Sequence, residues 1–285
     1  ELCVPAGLRV DAANAATTDV LGATAAGLPV GLSHERRLRH LIVTGNWGAG
    51  KSTVASHLIR ADLEAKRPFL VVDPHGPLAE HVRHWALHLE VEALVLDVDD
   101  AHPGVFAPFD QLRADGSNLD QVERQIARWL DAVAASLPNP EFASVRWFAM
   151  AQSWALVQAA HGASFEEAMV WLNDGNLLLD KLDHPLVPDL ARSTLRTVVG
   201  PDASREAADV RGWVSSKFHA LVSGPVRRIL AAPGEAPTIG ATVRARRPIV
   251  CNLGGLSTSE AFLVGHLVVD AGVAAVMERP AGERK

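Results

Sequence analysis

The chain has 285 residues, 48% hydrophobic and 21% charged, enough apolar material for one large or two modest globular units with a buried core. Its net charge of -6 and pI near 6.1 exclude a basic surface over the whole molecule, so contact with nucleic acid must be local or belong to other parts of the protein. Two cysteines, Cys3 and Cys251, exclude a disulfide framework and fit a reducing cytoplasm.

In chain order, residues 1–40 mix short apolar runs with Pro5, Gly7, Gly22, Gly27 and Pro29, which predicts a small β-rich lead-in. The apolar run Leu41-Ile42-Val43 predicts a buried strand, the glycine-rich stretch from Gly45 to Gly50 a loop, and residues 51–63 a helix. The order repeats: residues 69–72 read as a strand, 77–89 as a helix and 93–96 as a third strand. Strands alternating with helices predict an α/β fold with a parallel sheet. From about Asn118 to Leu230 the spacing is continuously helical, and Trp129, Trp147, Trp154, Trp171 and Trp213 fall at helical intervals as core anchors. Ser164 with Glu167, and later Ser257 with Glu260, are spaced as capping boxes. The sheet resumes at residues 248–253, followed by a helix from Ser257.

The expected organisation is therefore a lead-in (1–40), a nucleotide-binding core in two pieces (41–115 and 245–285) and an all-helical insertion (116–244). No run reaches the roughly 18 to 20 consecutive apolar residues that span a bilayer; the longest, 261–277, contains His266 and Asp270. No basic region followed by an apolar core marks a signal peptide. The expected location is cytoplasmic, or the inner membrane face by way of regions outside this segment, and the expectation is a fragment trimmed at both ends.

Gly45-Asn46-Trp47-Gly48-Ala49-Gly50-Lys51-Ser52 fits the phosphate-loop pattern GxxxxGK[ST], with Thr53 next, between a predicted strand and a predicted helix. Glycines let successive backbone N–H groups converge on a β-phosphate at the positive end of the helix. Lys51 supplies a charge for the β and γ phosphates, and the Ser52 hydroxyl is placed to ligate Mg²⁺. ATP with Mg²⁺ is the expected ligand; the bland alternative is a glycine-rich turn with an exposed lysine. Trp47 lies against the nucleotide, against a neighbouring subunit, or in solvent.

Hydrolysis also calls for a carboxylate near the metal and a second one to orient water. Asp73, Asp97 and Asp270 each end an apolar run. Asp270 reads as a helix residue and Asp97 as a solvated strand end or a cap, leaving Asp73 as the catalytic and metal-binding choice. His75, in the same Asp73-Pro74-His75-Gly76 loop, either reaches the nucleotide or stabilises the loop. His81, His84 and His88 read as one helix face, and no zinc is expected.

The passage Arg39 to Thr53, the strand ending in Asp-Pro-His-Gly, Leu94 to Asp97 with Ala107-Pro108-Phe109 beyond, Val226 to Leu230, and Ile249 to Leu256 resemble the HerA/FtsK superfamily. The likeness is strongest to the TraG/TraD-like coupling and type IV secretion ATPases of conjugation. The resemblance implies a RecA-like ATPase core, usually hexameric, that couples ATP hydrolysis to moving DNA or protein alongside secretion or conjugation machinery. In this sequence Gly45 to Thr53 would hold ATP and Mg²⁺, with Asp73 and His75 nearby. Pro77 stands where the family commonly has an acid. The family's Asp-Glu strand would follow a helix such as 257–277, so the catalytic Glu is expected beyond Lys285. Arg227 and Arg228 read either as arginines acting on a neighbouring subunit's nucleotide or as a solvated helix face. Three functions stay open: a motor ATPase, a non-hydrolysing ATP-binding module, and a phosphate-loop kinase, which a helical insert of over 100 residues fits poorly.

Overall fold

The computed structural model describes residues 8–11, 13–37, 41–101, 103–106, 108, 113–137, 144–200, 203, 205–230 and 239–279. Cys3, Pro5, Gly7, Arg39, His40, Ala107, Phe109 and Lys285, used above, lie outside the described residues.

The first strands, β1 (Thr18–Ala23) and β2 (Pro29–Ser33), form an antiparallel hairpin, and a one-turn helix α1 (His34–Arg37) follows. Gly27 closes the hairpin because the turn requires a left-handed residue, φ 78°. Charge latches this hairpin onto α2 (Lys51–Glu64). Asp19 of β1 accepts from Arg37 at 2.5 Å and from Arg67 at 2.9 Å, and both guanidinium groups also pair with Asp62 near the end of α2. Burial alone would raise the Asp19 carboxyl; the bonds from Arg67 and Arg37 outweigh it and hold the group below the usual carboxylate range.

The α/β part is a parallel sheet of β3 (Leu70–Asp73), β4 (Leu94–Asp97) and β5 (Ile249–Asn252), ordered β3-β5-β4. These short apolar runs suit strands covered on both faces, and β5 in the middle is buried at all four positions. Helix α3 (Pro77–His88) follows β3, and α12 (Thr258–Met277) follows β5. Beyond β4, the Gly104 N–H donates to the Val95 carbonyl at 2.7 Å. The outer edge of β3 has no strand partner among the described residues.

One expected strand is absent. Residues 41–43 have no regular structure, and Leu41, Ile42 and Val43 are 51%, 82% and 40% exposed. The run has the right composition, but a strand is a cross-chain ladder, and no neighbouring strand lies alongside it among the described residues.

Between β4 and β5 run α4 (Leu119–Ser136), α5 (Val145–His161), α6 (Phe165–Asn173), α7 (Gly175–Lys181), α8 (Asp189–Val199), α9 (Arg205–Val222), α10 (Arg227–Leu230) and α11 (Ile239–Arg244). The tryptophans anchor their core as expected. Trp129, Trp147 and Trp154 are buried, while Trp171 and Trp213 pack partly buried against it. Trp154 meets Phe165 edge-on and Phe218 at a tilt, with ring centroids 5.7 and 5.2 Å away, and donates its indole N–H to the Ala168 carbonyl at 2.8 Å. Both capping boxes form, at Ser164 with Glu167 and at Ser257 with Glu260.

By length and composition α12 is apolar enough to cross a membrane, with a mean hydropathy of 1.6, although His266 and Asp270 were expected to rule that out. It lies on the sheet instead. Gly265 and Gly272 allow the close approach, since a Cβ there would stand 3.3 Å from Val72 and 3.2 Å from Leu70. Its outer face leaves Phe262, Val269, Val273 and Met277 exposed beside the free edge of β3. Asp270 is a helix residue, 3.7 Å from Arg128.

Candidate nucleotide site

The glycine-rich segment folds as a tight loop because Gly48 and Gly50 take left-handed φ values of 78° and 83°. At Gly45 a Cβ would come within 3.1 Å of the Ala49 methyl, so the loop closes most readily on glycine there. Gly50 is the N-cap of α2 and makes no side-chain cap, leaving the N–H groups of the first turn without the usual side-chain acceptor at the positive end of a 14-residue helix. The Lys51 ammonium folds back and donates to the carbonyls of Gly45 at 3.0 Å and Asn46 at 2.9 Å. Asn46 and Ala49 are exposed with the rest of the loop, and Trp47 at its tip is 102% exposed, in contact with solvent rather than with its own chain.

From the start of α2 a cleft of roughly 520 Å³ opens between α2 and α3, and it brings Ser52, Thr53, Asp73 and His75 together with His57 and His81. Asp73 is buried, and its carboxylate is already engaged. One oxygen accepts from the His75 N–H at 3.0 Å, the other from the N–H groups of Leu78 and Ala79 at 2.8 and 3.0 Å. It thereby caps α3, which starts on Pro77, a residue whose fixed φ suits a first helical position and whose missing N–H costs nothing there. His75 is exposed in the cleft; His81, His84 and His88 form an exposed face of α3, with His81 stacked on Trp85 at 6.1 Å.

Asp97 does not enter the cleft and is not solvated. It accepts from the Asp99 N–H at 2.9 Å and from the Asn252 side-chain amide at 2.8 Å. A pattern of strand-end acids passes over Asn252, although it closes the run Ile249 to Cys251 as Asp73 and Asp97 close theirs. Cys251, beside it, is a buried thiol pushed up to about 12, chiefly by burial and secondly by Asp97, so it is a core residue rather than a reactive one. The two arginines are both engaged within the chain. Arg227 bonds Glu166 at 2.5 Å, and Arg228 grips the turn after β4 through the carbonyls of Val98 and, at 2.6 Å, Asp100. Arg228 is thus a clamp between insertion and core rather than a solvated helix face.

Residues 23–223 match the family model for the type IV secretion-system coupling protein DNA-binding domain. No curated protein sequence matches the chain. Among solved structures it is similar to the bacterial conjugative coupling protein TrwBdeltaN70 in its unbound monoclinic form, with 16% identity and a TM-score of 0.51. That likeness of fold covers 96% of this chain and 60% of the other, so the chain spans about three fifths of the length of the protein it resembles.

Proposed function

We propose, from the premise that this chain belongs to the type IV secretion-system coupling protein DNA-binding domain family, that it is the nucleotide-binding part of a RecA-like ATPase that moves DNA during conjugative transfer or secretion. The observation that carries this reading is the start of α2: a left-handed glycine loop, a helix terminus lacking a side-chain cap, and Lys51 turned onto the loop's own carbonyls. A lysine held by Gly45 and Asn46 has two weak neutral acceptors to give up for a phosphate, and the helix N-terminus favours negative charge. Gly45, Asn46, Trp47, Gly48, Ala49, Gly50, Lys51, Ser52 and Thr53 form the ATP loop on this reading, with the Ser52 hydroxyl as the metal ligand. Bound Mg²⁺ would neutralise charge developing on the β and γ phosphates.

The DNA-transfer part of the reading rests on the family and agrees with the net charge of -6 only if DNA is met at a local surface. The protein then works as an oligomer, a hexamer on the family resemblance, alongside the secretion or conjugation machinery in the cytoplasm or at the inner membrane face. Asp73 has spent most of its accepting capacity on backbone N–H groups. Its part is first to fix the loop that carries His75 and only secondly to face Mg²⁺. The same saturation of Asp73 favours a second reading, an ATP-binding module that does not hydrolyse.

The test is Mg²⁺-dependent ATP turnover by the full-length protein, alone and with duplex or single-stranded DNA, beside Lys51→Ala. Turnover stimulated by DNA and abolished in the variant supports the motor. Tight ATP binding without turnover under any of these conditions supports the module and overturns the motor.

A further inference from the structure

We infer that Asn252 is a positioning residue, which holds the loop of residues 73–76, and with it His75, in register with the phosphate-binding end of α2; this rests on the nucleotide site proposed above. The parallel register sets Asp73, Asn252 and Asp97 side by side across the carboxyl ends of β3, β5 and β4. All three are buried, with relative exposures of 7 to 8%. Asn252 is the only one of the three able both to donate and to accept through its side chain. Its amide N–H reaches Asp97 at 2.8 Å and its amide oxygen accepts the Gly254 N–H at 2.9 Å. Those two partners, a carboxylate and an N–H, fix which end of the amide is which.

The amide then shapes the loop beside it. Gly76 takes a φ of 95°, and a Cβ there would lie 3.0 Å from the Asn252 amide oxygen. A Cβ on Gly254 would meet the His75 carbonyl at 3.0 Å and the Gly76 Cα at 3.1 Å. The Leu253 N–H donates to the Asp73 carbonyl at 2.9 Å. The 73–76 loop is thus wedged between Asp73, which caps α3, and the 252–254 segment, whose path the Asn252 side chain sets. His75 is the exposed residue of that wedge facing the cleft at Ser52 and Thr53.

A side chain that sets His75 affects how the terminal phosphate is met more than how the rest of the nucleotide is held. The ratio of ADP to ATP dissociation constants, measured with Mg²⁺ on the full-length protein, isolates that difference and needs no turnover. Asn252→Asp places a second carboxylate against Asp97 and is expected to lower the ratio about tenfold, with ADP affinity within roughly threefold of the parent. The double exchange Asp97→Asn with Asn252→Asp reverses donor and acceptor while keeping both bonds, and is expected to restore the ratio. If Asn252→Asp does not fold, as judged by circular dichroism melting, Asp97→Asn alone sets two amide groups face to face and reads the same contact. An unchanged ratio in the folded single variant overturns the inference, as does a folded double exchange that fails to restore it. A parent protein that binds ATP and ADP equally overturns it too. If the parent binds neither nucleotide, or Lys51→Ala binds both as well as the parent, the nucleotide site itself is wrong and the inference falls with it.

Discussion

The helical insertion and the nucleotide side of the sheet treat their tryptophans in opposite ways at Trp147 and Trp154 on one hand and Trp47 on the other. In the insertion Trp147, Trp154 and Phe165 are at most 1% exposed, and the rings of Trp147, Trp154, Phe165 and Phe218 interlock. Around the phosphate loop Ile42 and Trp47 are 82% and 102% exposed, and β3 and the outer face of α12 offer further uncovered apolar surface. The insertion buries its central rings within itself, whereas the nucleotide side leaves apolar groups, and the N–H groups at the start of α2, for something else to cover. The difference teaches that stability and function reside in separate places: a substitution in the first region is felt in folding, and one in the second is felt in binding.

The sharpest break of that comparison is Trp154→Ala. It empties a ring-filled site and removes the indole's bond to the Ala168 carbonyl, so a loss of about 3–5 kcal/mol is expected by chemical denaturation, with nucleotide binding by the remaining folded protein unchanged. Lys51→Ala is expected to do the reverse. Its ammonium touches only loop carbonyls, so the melting temperature should hardly move while ATP turnover falls by roughly 100-fold or more. A large melting shift in Lys51→Ala would mean that the loop also supports the fold.

The latch between hairpin and α2 lies between these extremes. Asp19→Asn is expected to cost about 1–2 kcal/mol, less than a dry ion pair would because Arg37 and Arg67 keep part of their surface in water. The Asp19 pKa is lowered on folding, so its contribution is complete above the ordinary value of 3.8 and is lost as pH falls through the lower folded value. Amide NMR signals of β1 should therefore keep their positions from pH 7 to about pH 5 and shift only below pH 4. Movement between pH 5 and 7 would mean that a group other than Asp19 controls the latch. The smallest expected effect is that of Trp47→Ala, within about 0.5 kcal/mol in stability because the ring touches solvent alone. A larger change in concentration-dependent assembly or in nucleotide affinity would identify what covers it.

The sequence by itself determined what depends on short range. The glycine loop, the start of α2 at Lys51, the two capping boxes and the helical placement of Asp270 are each decided by bonds within a few residues, so residue type and spacing sufficed. The burial of the tryptophans followed from their size and periodicity. Tertiary structure alone decided the rest. Whether residues 41–43 pair depends on a neighbouring strand, which no local pattern specifies. Asp97 and Asn252 are 155 residues apart, and Arg228 reaches the carbonyl of Val98 across 130, so their partners exist only once the insertion has folded and returned the chain to the sheet. Even Asp73, found from its position at a strand end, acquired its meaning from the turn of α3 it caps, because a carboxylate is defined by the donors that reach it.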